Sequence, residues 1–369
     1  MTSRDLYLSM VGIDDVILAK ASRPSKNNKV IKFHKRLSFV AGICLALIIS
    51  ATAVAAIRHF WGRGMSGYLK STDEQQQTLT ETGQAIVYPE LTDYSSYQIT
   101  DQGVTIAPNT VVVGDDFAYI SFTVSGFEVG ENEEPAAELD YYLGDNPSTE
   151  SSWVNGSSSF YDGLIIDDKG YIAYADGSEV KIGDDGNTIR HYYDEDGNLE
   201  YIIQIQAIDG VNTILGNTLH VNFTDLGIYP GNADYQSYIT GNWDFTLKLP
   251  TVSNTQNIKV NKEVPGTNFT VESIDISPVS ITVNYKVNGE VNASEDCLGM
   301  PEFTGFVLED GTRLPYVANG GSSGFTDETE KYAVCSRAFD RVIDISQVKS
   351  ILLWPDDFGG CDMVEVEIQ

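Results

Sequence analysis

The sequence predicts a mainly β protein with two β-sandwich domains of the immunoglobulin-like kind. One transmembrane helix and a short cytoplasmic helix are expected to precede them. An uncharged run of 21 residues lies near the N-terminus. The chain beyond it alternates polar and apolar residues in short segments separated by Gly, Asn and Asp, which is typical of half-buried strands. That outer part exceeds the roughly 100–200 residues of one domain, so two domains are expected.

The cytoplasmic arm, residues 1–36, begins with a segment of helical spacing. Its apolar side chains recur at intervals of four, three and four residues, on one helix face: Leu6, Met10, Ile13 and Ile17. A helix this short has no core of its own, so the apolar stripe must be buried elsewhere. It can dock on a cytoplasmic protein or lie on the inner membrane surface, and a partly disordered tail is a third interpretation. We expect docking, with these four side chains as the partner-binding residues.

The uncharged run extends from Leu37 to Ile57 and contains no proline. A helix needs about 20 residues to cross the hydrocarbon core of a bilayer, so this run is predicted to span the membrane. The arm before it carries eight Lys and Arg against three Asp and Glu, which places the N-terminus in the cytoplasm and the rest outside. A cleaved signal peptide is the alternative, but its apolar core is about 7–15 residues long and lies nearer the N-terminus.

Beyond the predicted span the chain is acidic, with 15 Lys and Arg against 50 Asp and Glu. Like charges repel, so neither nucleic acid nor anionic lipid is expected as a ligand of this part. Three cysteines lie here, at Cys297, Cys335 and Cys361. They permit one disulfide with one thiol left over, and the pairing stays open.

The outer part is predicted to contain three segments. Residues 58–85 are polar and rich in Gln and Thr, which favours a linker or short helical stalk. The period-two pattern then defines a first β-sandwich domain over residues 86–250 and a second over 251–369. In residues 117–125, for example, Tyr119, Ser121 and Thr123 alternate with apolar residues, which predicts a half-buried strand.

Asp-rich turns recur between residues 167 and 198. Calcium prefers oxygen ligands from such loops, which gives four weak candidate ligands: Asp184, Asp185, Asp194 and Asp196. The EF-hand spacing is not met, because Gly197 directly follows Asp196. Asp-Gly and Gly-Asn are also the residues that tight hairpin turns require. We therefore expect hairpins here and no bound metal.

The sequence offers little for catalysis. It contains no nucleophile elbow, zinc-protease motif, phosphate-binding loop or dinucleotide fingerprint. Only two histidines lie clear of the membrane outside, His191 and His220, whereas an active site normally combines several acids, bases or nucleophiles. We expect the protein not to be an enzyme and to need no cofactor.

The layout resembles the DUF4179 family, a domain of unknown function in membrane proteins of Gram-positive bacteria. The likeness is carried by residues 5–19 with their Ile-Asp-Asp centre, by the basic and apolar run 35–57, and by outer strands at 103–106, 117–124 and 269–283. Family members are commonly associated with extracytoplasmic-function sigma factors and are described as anti-sigma factors. The resemblance therefore implies a sigma factor as the cytoplasmic partner. Unlike zinc-binding anti-sigma domains, the arm contains His34 but no cysteine, so a zinc site there is excluded on ligand count.

These observations predict a single-pass protein of the cell membrane, with its N-terminus in the cytoplasm and its C-terminal region extracellular. The expected function is regulation, in which an outer sensing or binding region with an unknown ligand is joined to an inner docking helix. The alternative is a membrane-anchored adhesion or wall-binding module whose arm only fixes topology. A secreted enzyme is a third and weaker alternative.

Overall fold

The computed structural model describes residues 61–130, 133–167, 169–183, 186–208, 211–230, 234–290, 299–326, 328–355 and 362–368. The predicted cytoplasmic helix and the predicted span lie outside these residues, as do Asp184, Asp185, Cys297 and Cys361. Within the described ranges, no helix has both the length and the apolar character needed to cross a bilayer.

The described chain is mainly β, as predicted. Two short helices come first, α1 (Gly62–Tyr68) and α2 (Asp73–Glu81). The next eleven strands are β1 (Ala85–Val87), β2 (Ile99–Asp101), β3 (Val104–Val113), β4 (Phe117–Ser125), β5 (Glu134–Leu143), β6 (Asn155–Phe160), β7 (Leu164–Ile166), β8 (Ile172–Tyr174), β9 (Leu199–Gln206), β10 (Thr218–Tyr229) and β11 (Gln236–Lys248). The remaining strands are β12 (Gln256–Glu263), β13 (Phe269–Ser277), β14 (Ser280–Val287), β15 (Glu302–Leu308), β16 (Arg313–Leu314), β17 (Ala318–Phe325), β18 (Tyr332–Phe339), β19 (Val348–Trp354) and β20 (Val364–Glu367).

Nine of the first eleven strands enclose one core. One antiparallel sheet has the order β1-β3-β4-β9-β6, with β2 beside β3, and a second has the order β11-β10-β5. Aromatic rings from both sheets meet between them: the ring centroid of Phe122 lies 5.2 Å from that of Phe223 and 5.1 Å from that of Phe245. This arrangement is consistent with the predicted β-sandwich, and we call it the first sandwich. β7 and β8 form a separate hairpin.

The last nine strands enclose a second core. Their sheets have the orders β12-β13-β14-β18-β17 and β16-β15-β19-β20. Phe339 of one sheet packs on Phe303 and Phe306 of the other, with ring centroids 5.9 and 5.4 Å apart. We call this unit the second sandwich. The first core takes its buried residues from Tyr88 to Leu249 and the second from Val264 to Ile368.

The segment predicted to be a linker or short helical stalk contains α1 and α2. Thr72 begins α2 with a capping box, in which the Gln75 amide donates to Thr72 Oγ1 at 3.2 Å and the Thr72 amide donates to Gln75 Oε1 at 2.9 Å. Such a box pairs amides that the first helical turn leaves without partners. The apolar residues Trp61, Met65 and Leu69 are fully buried. The segment therefore packs into the body of the protein.

The predicted half-burial of β4 is wrong for two of the residues expected to face solvent. Tyr119 and Ser121 are completely buried, although they face away from the first core. The reason is that the helical segment and the second sandwich cover this face of the sheet. Alternation correctly identified the strand but not the second layer that packs on it.

Candidate functional site: the junction between the sandwiches

A third buried cluster joins the helical segment to both sandwiches, and we call it the junction. Its apolar members come from the helical segment, from the outer face of the β1-β3-β4-β9-β6 sheet and from loops and strand ends of the second sandwich. They are Trp61, Met65, Leu69, Leu79, Ala85, Val87, Val112, Phe117, Tyr119, Val279, Ala338 and Val342. Helix α1 is thus fixed by both sandwiches at once.

Glu200 lies at the start of α1. Along β9, Leu199, Tyr201 and Ile203 face the first core, so the alternation of a strand directs Glu200 to the junction. The residue is only 3% exposed. Its carboxylate accepts a hydrogen bond from the Gly64 amide and lies 3.7 Å from Arg63 Nε. Burial raises the pKa of Glu200 to about 7, although Arg63 opposes that rise.

Besides Glu200, groups from two other parts of the first sandwich hold Arg63. Its guanidinium donates to the His191 carbonyl at 2.8 Å and to the Tyr192 carbonyl at 2.7 Å. It also lies 5.1 Å from the centre of the Tyr161 ring, within the range of a cation–π interaction. His191 therefore contributes its backbone rather than its imidazole to this site.

Glycines let α1 approach the first sandwich closely. A Cβ atom on Gly67 would lie 1.8 Å from Tyr161 Oη, and one on Gly62 would lie 2.3 Å from Asn109 Nδ2. Gly62 also has a φ of 68°, which L residues rarely adopt. The run of glycines in this helix is explained by close packing, even though glycine lowers helix propensity.

Tyr119 connects the two sandwiches directly. Its hydroxyl donates to the Val279 carbonyl at 2.9 Å and accepts a hydrogen bond from the Phe339 amide at 2.9 Å. Burial raises the pKa of Tyr119 well above its usual value, so the hydroxyl stays protonated. Strand β9 adds two further bridges: Gln204 Nε2 donates to the Asn319 carbonyl at 2.9 Å and Gln206 Nε2 donates to Ser322 Oγ at 2.8 Å.

The end of α1 is tied to the second sandwich through its backbone. The Lys70 amide donates to the Asp340 carbonyl at 2.8 Å, and the Val342 amide donates to the Lys70 carbonyl at 2.8 Å. Gln75 Nε2 adds a hydrogen bond to the Val342 carbonyl at 3.1 Å. Because α1 packs on the first sandwich and Lys70, two residues after its end, pairs with the second, the helical segment spans the boundary between them.

Several buried polar atoms of this region lack a hydrogen-bond partner among the described residues: Trp61 Nε1, Gln76 Oε1, Thr110 Oγ1 and Tyr161 Oη. Arg63 Nε also makes no hydrogen bond, but it lies in the ion pair with Glu200. Elsewhere in the described chain only three buried side-chain atoms share this condition. An unpaired buried polar atom costs about 1–3 kcal/mol relative to a hydrated one. The junction therefore contains more buried polar atoms without a hydrogen bond than the rest of the described chain.

Replacing Tyr119 with phenylalanine is expected to weaken the contact between the sandwiches. The change removes the hydrogen bonds that the hydroxyl makes with the Val279 carbonyl and the Phe339 amide. These two groups remain bonded to each other at 3.0 Å, so the expected cost is the net value of a lost hydrogen bond, about 0.5–1.5 kcal/mol. Urea denaturation of the variant and the wild type measures this difference in the free energy of unfolding. Tyr332→Phe is the matched control, because Tyr332 is 44% exposed in the second sandwich. Equal losses in both variants would contradict the role of the Tyr119 hydroxyl.

Two of the four candidate calcium ligands lie in a described hairpin turn. Asp194 Oδ1 accepts hydrogen bonds from the Asp196 amide at 2.9 Å and from the Asn198 amide at 2.7 Å. The next residue of the turn, Gly197, has a φ of 79°. One carboxylate oxygen of Asp194 is thus used to close the turn, as a hairpin requires.

His220 and Cys335, which were also noted in the sequence, lie apart from the junction. His220 stacks on Tyr142 with ring centroids 4.6 Å apart on the β11-β10-β5 sheet. Cys335 is a buried free thiol in the second sandwich, and burial raises its pKa to about 12, which makes it unreactive. Among the described residues, no three or more His, Cys, Asp or Glu side chains are grouped so as to hold a metal ion.

Comparison with known proteins adds little. No family model and no curated protein matches the chain. A solved structure that is similar is the crystal structure of a conserved domain protein from Bacillus anthracis, with 13% sequence identity and a TM-score of 0.43. The similarity covers 71% of this chain and 78% of that one. Similarity at this level transfers no function.

Proposed function

We propose that this chain is a single-pass membrane regulator of the anti-sigma class, related to the DUF4179 proteins. In this proposal residues 37–57 cross the cell membrane, the arm before them binds a sigma factor in the cytoplasm, and two immunoglobulin-like sandwiches lie outside. The basic arm, the uncharged run and the acidic outer part support this arrangement, following the positive-inside rule. The apolar stripe of the arm supplies the binding surface.

One observation carries the regulatory part of the proposal. Trp61 is completely buried in the junction, yet it follows Ile57, the end of the predicted span, by only four residues. Four residues of extended chain reach at most about 14 Å. The proposed span would therefore connect almost directly to the contact between the sandwiches.

This connection supplies a route for a signal. Helix α1 contacts the first sandwich at Arg63 and Gly64, and Lys70, two residues after the helix, pairs with the second. A ligand that changes how the sandwiches contact each other must also change the packing of α1, because both hold the same helix. A single proposed span then carries that change to the arm. A span that served only as an anchor would not need this connection, because a loose linker would hold the outer part equally well.

The expected result for the inner arm is loss of the sigma factor when its stripe is made polar. Ile13→Asp and Ile17→Asp each place a charge on the face expected to be buried against the partner, which costs several kcal/mol without a partner charge. The measurement is co-purification of the full chain with the sigma factor encoded by an adjacent gene. Leu8→Asp is the matched control, since position 8 lies on the opposite side of the predicted helix.

Two outcomes would overturn the proposal. One is the absence of sigma-factor binding by the full chain, and the other is binding that Ile13→Asp and Ile17→Asp leave unchanged. Deleting residues 1–22 separates this function from surface adhesion. A regulator should then release transcription of its target genes, whereas an adhesin should show altered attachment alone.

A further inference from the structure

The first sandwich contains a cavity of about 450 Å³ between two of its loops, and we call it the loop pocket. One wall is the loop that follows β5, and the other is the loop that precedes β10. Small-molecule sites in proteins usually measure about 300–1,000 Å³, so the loop pocket has room for a small ligand. Its polar lining residues include Asp145, Asn146, Thr149, Asn212, Thr213 and Asn217.

Hydrogen bonds hold the two walls of the loop pocket in place. Asn212 belongs to the loop before β10, and its Nδ2 donates across to the facing loop, to the Ser151 carbonyl at 3.3 Å and to the Trp153 carbonyl. Asn217 secures its own loop, because its Nδ2 donates to the Thr213 carbonyl at 2.9 Å. The loop pocket is therefore formed without a ligand, which lowers the entropy cost of binding one.

Three hydrogen-bonding groups of the loop pocket are left for a ligand. The Asp145 carboxylate, Asn146 Nδ2 and the Thr213 hydroxyl make no hydrogen bond with any other residue that the structure describes. A carboxylate accepts hydrogen bonds, an amide N–H donates them, and a hydroxyl does both. This mixture matches the hydroxyl groups of a ligand, since each of those can also donate and accept.

The charge of the loop pocket favours a neutral ligand. Asp145 is the one charged residue among the described residues that line it, so an anionic ligand would meet a like charge without a compensating Lys or Arg. A cationic amine could pair with Asp145, but an ammonium group offers donors alone. It could not accept a hydrogen bond from Asn146 Nδ2. A neutral compound rich in hydroxyls suits all three free groups.

Trp153 provides an aromatic surface beside the loop pocket. Its carbonyl is held by Asn212 of the facing wall, yet the residue is 49% exposed. A sugar ring has apolar C–H faces and polar hydroxyl edges, so it can stack on an aromatic ring while its hydroxyls form hydrogen bonds. An exposed indole beside free carboxylate, amide and hydroxyl groups is the combination that such a ring requires.

We propose that the loop pocket binds a neutral saccharide, whose hydroxyls pair with the three free groups and whose ring stacks on Trp153. The loop before β10 also contacts the chain that leads to the second sandwich, since the Gly216 amide donates to the Pro250 carbonyl at 2.7 Å. The saccharide would thus be the external ligand of the regulator. That role rests on the proposed function, whereas saccharide binding itself does not.

Saturation-transfer difference NMR of the full chain tests the proposal. The protein is held in micelles of a detergent without a sugar headgroup, and the probes are cellobiose, maltose and diacetylchitobiose. We expect saturable transfer to the ring protons of at least one of them. Glucuronate and glucosamine are the anionic and cationic comparisons, and both should bind more weakly. Absence of binding by all three neutral probes, or tighter binding of either charged sugar, would overturn the proposal.

Two variants test where the saccharide binds. Trp153→Ala and Asp145→Ala should each weaken binding about tenfold, through loss of the stacked ring or of a charged hydrogen bond. Both residues are exposed, so both variants should fold. Tyr171→Ala and Asp244→Ala are the matched controls, because these residues are exposed and do not line the loop pocket.

The two control variants should bind the saccharide as the wild type does. Binding that both Trp153→Ala and Asp145→Ala leave unchanged would overturn the assignment of the saccharide to the loop pocket. Sigma-factor binding by the same full chain is scored separately. Loss of one activity with retention of the other therefore shows which of the two proposals has failed.

Discussion

Trp61→Ala is expected to lower the free energy of unfolding by about 3–5 kcal/mol, the usual cost of truncating a buried large aromatic residue. Trp61 is completely buried in the junction, where it packs with residues of the helical segment and both sandwiches. The loss should appear first as opening of α1, because the two cores do not contain Trp61. Urea denaturation gives the free energy, and hydrogen exchange of residues 62–70 locates it.

Trp153→Ala is the matched control for Trp61→Ala. Trp153 is 49% exposed, so its truncation should change stability by no more than about 0.5 kcal/mol. Trp61→Phe is a second comparison, since the indole N–H has no hydrogen-bond partner among the described residues. Phenylalanine should therefore recover much of the loss. Equal destabilisation by Trp61→Ala and Trp153→Ala would show that the junction is not closed in solution.

Gly305→Ala is expected to destabilise the second sandwich by about 3 kcal/mol, at the upper end of the cost of overpacking. A Cβ atom at this position would lie 1.8 Å from the Leu314 carbonyl oxygen and 2.8 Å from its carbon. These are backbone atoms of the segment that pairs with β15 at Phe306 and Val307. They cannot move away by a rotamer change, so part of this sheet must shift. Thermal unfolding measured by circular dichroism reports the loss.

Gly324→Ala tests whether the effect comes from the contact rather than from the residue type. Gly324 also lies in a strand of the second sandwich, but a Cβ atom there has nothing within 4 Å. We expect a change within about 0.5 kcal/mol of zero. Comparable losses in the two variants would contradict the packing at Gly305.

The strands were predictable because their signal is local. Period-two alternation in residues 117–125 depends only on neighbouring positions, and β4 occupies that range. The Asp-Gly turns were predictable for the same reason, since the turn chemistry of Asp194 and Gly197 is contained within five residues. In both cases the residues that determine the strand or the turn lie within it.

The junction was not predictable because its contacts are distant in sequence. Tyr119 looked like a solvent-facing residue of a two-layer protein, and nothing near it indicates that Val279 and Phe339 provide its partners. The polar composition of residues 58–85 likewise concealed the burial of Trp61 and Leu69. One signal did exist in the sequence for Glu200: it is the single charged residue in the run 199–206, which otherwise contains only apolar residues and glutamines.

The contacts of Lys70 also determine the order in which the protein can assemble. Its backbone pairs with Asp340 and Val342, some 270 positions further along the chain. Contacts so distant in sequence form late, because the loop between them must first be ordered. A nascent chain cannot form these contacts until residue 342 has been synthesised. A protein truncated before residue 340 would keep the contacts of α1 with the first sandwich but would leave the Lys70 backbone without these two partners, so closure of this side of the junction reports that the second sandwich has been synthesised.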